Sequence, residues 1–128
     1  MEEKYKSSIV ASNQQLMKDY YLAYEKKDWN MMTPLLAEGF VFSSPNNDNN
    51  IDIKLYKERC WPNAHNIKRF DIVKLIIDGD DGFVTYNGWT MDGRLFRNTE
   101  YFRFEGGKIK EVECFFGPGI SFPNNTKE

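Results

Sequence analysis

The sequence predicts an α+β domain: a curved antiparallel sheet of about five strands wrapped like a cone around a long N-terminal helix, with two shorter helices beside it. Three observations carry this. Apolar residues recur at helical spacing before residue 30. All ten phenylalanines lie from Phe40 onward, as an aromatic-rich sheet requires. The back half consists of alternating runs joined by tight turn signals, which make neighbouring strands antiparallel. Helices on one face of such a sheet form a two-layer domain. A chain of 128 residues with 41% hydrophobic content fits one such core, so a single domain is expected over 1–128.

The first helix is predicted over residues 3–27, where Ile9, Leu16, Met17, Tyr20 and Tyr24 share a face. It stops at Lys26-Lys27, cations suited to a helix C-terminus. Asp28 is an N-cap for a short second helix carrying Trp29, Met32, Leu35 and Leu36, with Pro34 inside it. Gly39 punctuates, and Phe40-Val41-Phe42 begins a strand. Residues 45–50, Pro-Asn-Asn-Asp-Asn-Asn, read as a loop, since Asn and Asp bond their own backbone. Asp52 caps a third helix that runs to about Trp61 and is stopped by Pro62.

Four strands follow, over 67–78, 83–91, 95–105 and from Lys108 through Phe116, with turns at 78–82, Asp92-Gly93 and Gly106-Gly107. Ile109 is out of phase with Val112, Cys114 and Phe116, which predicts a bulge near Lys110. The tail 118–128, rich in Pro and Asn, reads as mobile. No internal repeat or linker interrupts the chain.

Composition excludes several functions. Net charge is −2 with no basic stripe, so nucleic acid is not an expected partner. No apolar run is long enough to span a membrane, and none follows Met-Glu-Glu-Lys to make a signal peptide. Asn124-Asn125-Thr126 fits the glycosylation pattern, by chance without a secretion signal. Cys60 and Cys114 form no disulfide framework and no metal spacing. A reduced cytoplasmic protein with no metal and no cofactor is expected. His65, the one histidine, lies in a loop and supports no nucleophile triad.

One acid stands out. Along the strand 95–105, Asn98, Glu100, Phe102 and Phe104 share a side. If that side is the core side, Glu100 enters an apolar environment and its pKa rises; the alternative is a carboxylate that reaches water or pairs with a cation. On the strand 83–91, Thr85 and Asn87 share a side with Phe83 and Trp89, and either line a cavity or face solvent. Tyr20 and Tyr24, one turn apart, pack in the core or offer hydroxyls to a ligand.

The segments "YYLAYEKKDWNMMTPLLAEGFVFSSP" and "EYFRFEGGKIKEVECFFG" resemble the nuclear transport factor 2-like superfamily, in its SnoaL-like and ketosteroid isomerase-like branch. The resemblance spans residues about 5 to 117. It implies a pocket between helix and sheet and a homodimer through the outer sheet face. In ketosteroid isomerases a helix tyrosine and a protonated aspartate on a late strand form an oxyanion hole. The resemblance places these roles on Tyr20 and Glu100, with Glu in place of Asp, a pocket aromatic on Trp89, and a pocket wall on Val112, Cys114 and Phe116. Tyr24, Trp61, Asn87 and Phe102 complete the expected lining. The family's general base is an aspartate before a proline, and here Ser44 precedes Pro45. A serine hydroxyl is a poor base at neutral pH. The resemblance thus implies a binder of a small apolar, carbonyl-bearing molecule, with lyase or isomerase chemistry left open. The alternative is a non-enzymatic dimeric interaction protein with a filled cone.

Overall fold

The computed structural model describes residues 2–118, so the tail from residue 119 and the Asn124-Asn125-Thr126 pattern lie outside the described residues, as does the side chain of Ile9. Helix α1 spans Glu2–Lys26 and buries Met17, Tyr20, Tyr21 and Ala23. It ends where Lys27 turns left-handed (φ 57°) and the Asp28 amide donates back to the Ala23 carbonyl. The Asp28 carboxylate then accepts from the Asn30 amide and starts α2, Trp29–Met32. Pro34 supplies no N–H, so the expected longer helix becomes α2 followed by a 3-10 turn, Thr33–Leu35. Asp52 caps α3, Ile53–Arg59, by accepting from the Leu55 amide. That helix stops before Trp61, and Trp61–Asn66 continue as 3-10 turns containing Pro62.

Six strands form one sheet: β1 Leu36–Ser44, β2 Asp48–Ile51, β3 Ile67–Asp78, β4 Asp81–Thr90, β5 Leu95–Glu105 and β6 Lys108–Phe116. Their order is β2-β1-β6-β5-β4-β3. Two expectations are corrected here. The sheet is mixed, because β1 lies parallel to β6 while every other pair is antiparallel. A sixth strand, β2, arises within the Asn-rich segment expected to be a loop. Asn47 and Asn50 take left-handed φ values of 69° and 51°, and Ser43 Oγ accepts from the Asn50 amide, which folds the segment back onto β1. Local side-chain bonding overrides the low strand propensity of Asn.

The sheet curves over α1 and does not close, leaving β2 and β3 as its edges. The bulge near Lys110 is present: Arg103 pairs with Glu111 and Phe104 with Ile109, leaving Lys110 between them. It allows Ile109 and Val112 both to face inward, fully buried. Inside, Phe40, Phe42, Phe102 and Phe104 pack with the α1 tyrosines.

Candidate functional site

Register decides which side of each strand faces α1. Val84 pairs with Glu100, and Tyr86 with Asn98, and all four are buried. Their neighbours Thr85, Asn87 and Trp89 therefore point outward. Gly88 lets the Phe96 ring fold over β4: a Cβ there would stand 2.2 Å from the ring. Together these elements leave a cavity of about 50 Å³ between α1 and the sheet, room for only a few waters. Its lining includes Tyr20, Tyr21, Tyr86, Phe96, Asn98, Glu100 and Cys114, all buried, and the half-buried Tyr24, Asn63 and Phe70.

Glu100 is 5% exposed and accepts a short hydrogen bond from the Tyr21 hydroxyl, with Cys114 as its partner across β5 and β6. Burial pushes its carboxyl up to about 7, and Tyr21 and Cys114 oppose that shift. The hydroxyls of Tyr20 and Tyr24 both meet that of Tyr56, each at 2.5 Å, forming a phenol cluster beside the cavity. Asn98 Nδ2 donates to the Tyr86 hydroxyl at 3.1 Å. Burial first of all raises the pKa of Tyr20, Tyr21, Tyr24, Tyr56 and Tyr86, and of both thiols, so all remain protonated at neutral pH. Chemically the site offers one carboxyl that titrates near neutrality, inside a wall of aromatic rings and phenol hydroxyls.

Of the residues singled out in the sequence, Tyr20, Tyr24, Glu100 and Cys114 line this cavity. The hydroxyl that reaches Glu100 belongs to Tyr21, one residue beyond Tyr20, and Tyr20 is committed to Tyr56 instead. A buried helix stripe is wide enough to hold both tyrosines, so the doublet was the available signal. Asn87 and Trp89 are corrections: Asn87 accepts from Arg97 on the outer face, and Trp89 donates to Asp71 beneath the Arg69 guanidinium. Both adjacent parities of β4 carry aromatics, and only its register with β5 separates them.

Phe102 and Val112 are packed in the core, Phe102 edge-on to Tyr20, rather than lining the cavity. Phe116 is partly buried against the same core. Trp61 packs tilted against Tyr24 at 4.8 Å and edge-on to Trp29 at 5.1 Å, outside the lining. Ser44 points away: its hydroxyl donates to Asp48 at 2.7 Å, and Asp48 in turn pairs with Arg59 at 2.5 Å. Asp52 is occupied as the α3 cap. Tyr56, Tyr86 and Asn63 were not anticipated. Among the described residues no group of His, Cys, Asp and Glu is placed to hold a metal ion, and no helix is long and apolar enough to cross a membrane.

Solved structures with the same fold include a protein described as a putative ketosteroid isomerase from Kribbella flavida, 17% identical, with a TM-score of 0.70 over 91% of this chain and 86% of that one. An NTF-2 like protein of unknown function from Burkholderia xenovorans is 13% identical, with a TM-score of 0.72 over 90% of each chain. An LEH-like epoxide hydrolase of M. tuberculosis is 12% identical, with a TM-score of 0.71 over 84% of each. No curated protein matches the sequence significantly. At such identities these likenesses show the fold. The sequence itself matches the model of the SnoaL-like domain over residues 17–112, a span that begins within α1, ends within β6 and includes both Tyr21 and Glu100. With most of its length matched, and with the curved sheet and long helix of the nuclear transport factor 2-like superfamily, this chain belongs to the SnoaL-like domain family.

Proposed function

We propose that the chain binds a small, mostly apolar molecule in the cavity between α1 and the sheet, with one polar group of the ligand meeting Glu100. The observation that carries this reading is Glu100 itself: a carboxyl 5% exposed, held among aromatic rings by the Tyr21 hydroxyl, with no cation in the lining among the described residues. Buried acids of this kind cluster at working sites. Binding without turnover is favoured over isomerase or lyase chemistry. A proton-moving group would have to stand across the ligand from Glu100, and Ser44 is turned to Asp48 instead. Among the described residues no second carboxylate lines the cavity.

The same reading includes a homodimer through the outer sheet face, where Ile76, Phe83, Leu95 and Phe115 are exposed on β3, β4, β5 and β6. It also includes a cytoplasmic setting, in keeping with two unpaired buried thiols.

The test is titration of the isotope-labelled chain with small apolar molecules, followed by amide NMR. Shifts confined to α1, β4, β5 and β6 around the cavity, and lost in Glu100→Leu, are expected. Shifts elsewhere, or none, would refute the reading. A β,γ-unsaturated ketosteroid should be isomerised no faster than in buffer, and measurable turnover would show that the binding-only account is wrong.

A further inference from the structure

The chemical class of the ligand can be read from the charges that face Glu100. Six titratable groups surround it: Tyr20, Tyr21 and Tyr24 from α1, Cys60 at the end of α3, Tyr86 from β4 and Cys114 from β6. Each is a neutral acid held protonated by burial and by the Glu100 charge. None can become a cation. No lysine, arginine or histidine lines the cavity among the described residues. Arg59, whose field reaches Cys60, is committed to Asp48 at 2.5 Å. An ionised Glu100 is therefore a buried negative charge without a counter-charge.

The hydrogen bonding points the same way. Tyr21 donates to Oε1, and the protonated thiol of Cys114, the partner of Glu100 across β5 and β6, lines the same cavity. A phenol donating to a carboxyl that has only protonated neighbours arranges it as an acceptor. The rest of the lining includes six aromatic rings besides that of Tyr21: Tyr20, Tyr24, Phe42, Phe70, Tyr86 and Phe96. Aromatic rings around a single carboxylate are a setting that suits a positively charged nitrogen.

We propose that the cavity takes a small amine as its ammonium ion, the charged nitrogen meeting the Glu100 carboxylate and the carbon skeleton lying against the rings. The proposal rests on the reading of the cavity as a ligand site and adds the ligand's charge. A cavity of about 50 Å³ limits the skeleton to a compact one unless the walls move.

The experiment compares isobutylamine with its neutral isostere isobutanol, each titrated into the full chain and into Glu100→Gln, with amide shifts as the readout. The amine is expected to bind at least about tenfold more tightly than the alcohol near pH 8, the preference disappearing in Glu100→Gln. Should that variant not fold, the pH series on the unmodified chain decides: the amine-to-alcohol affinity ratio should rise roughly tenfold or more between pH 5 and 8 as Glu100 ionises. An alcohol that binds as well as the amine, a preference that survives Glu100→Gln, or a ratio flat in pH would overturn the proposal while leaving the cavity a ligand site. If neither probe shifts the cavity amides, the site reading falls and takes the ammonium proposal with it.

Discussion

Glu100 is the residue whose surroundings can be interrogated most directly. Its carboxyl is raised from 4.5 to about 7, so the folded state binds its proton more tightly than the unfolded state does. The stabilisation this gives is complete below pH 4.5 and declines as pH rises to about 7, by on the order of 3 kcal/mol in all. Glu100→Gln keeps the shape and a donor without titrating. Urea midpoints measured for both proteins from pH 4 to 9 should show the unmodified chain losing stability across that window and the variant holding level. A variant that loses most stability at the alkaline end would mean that Glu100 is ionised and paired. At this scale much was legible in the sequence. Alternation alone grouped Asn98, Glu100 and Phe102 on one side of β5, and burial makes that side the inner one. It failed at Tyr20 against Tyr21, since a helix turns only 100° per residue and both rings fit the buried stripe. It failed again in β4, where the inner set of Val84 and Tyr86 is no more apolar than the outer set of Phe83 and Trp89.

Among the elements, β2 was the one the sequence concealed. Its four residues, Asp48–Ile51, carry a single apolar side chain, and no alternation marks them as a strand. Their place is set by Asp48, whose enclosed carboxylate accepts from Ser44 and Arg59 and so joins the β1–β2 turn to the end of α3. The two partners are unequal, because the Arg59 side chain is 38% exposed and the Asp48 side chain 0%. Removing the acid leaves a guanidinium that can turn to water; removing the guanidinium leaves an enclosed charge. Arg59→Met should therefore cost about 3 kcal/mol and Asp48→Asn about 1–2 kcal/mol, read from urea unfolding midpoints. The reverse order would show that β2 is held by its backbone pairing with β1 rather than by this ion pair. The other elements were legible because each carries its own punctuation: Asp28 and Asp52 bond the amides expected of caps, and the turns fall at 78–82, Asp92-Gly93 and Gly106-Gly107.

For the whole molecule, the proposed dimer follows from what the curved sheet leaves outside. Ile76 is 67% exposed and Phe83, its partner across β3 and β4, 49%. Light scattering should give twice the 15.1 kDa chain mass for the unmodified protein and one chain mass for Phe83→Asp. A monomeric unmodified protein would remove the outer face from the account of function. Mixed topology was not legible at this scale, because tight turns reveal antiparallel neighbours and say nothing of how the first strand finds its partner.

That first strand finds its partner in the last. Leu36, Val41 and Phe42 of β1 lie beside Ile109, Glu111 and Val112 of β6, so the β1–β2 arm joins the rest of the sheet only through the final strand. On the ribosome, where the chain emerges from its N-terminus, β3 to β5 can zip up as successive hairpins while β1 and β2 wait. Closing a loop of this length costs entropy that no local contact returns. Without β6, β1 has β2 alone beside it, and Phe40 and Phe42 keep Tyr56 of α3 but lose their place in the larger sheet. β6 thus serves as the seam of the sheet, and a chain cut before Lys108 carries a β1–β2 arm without its seat and an unpaired edge on β5.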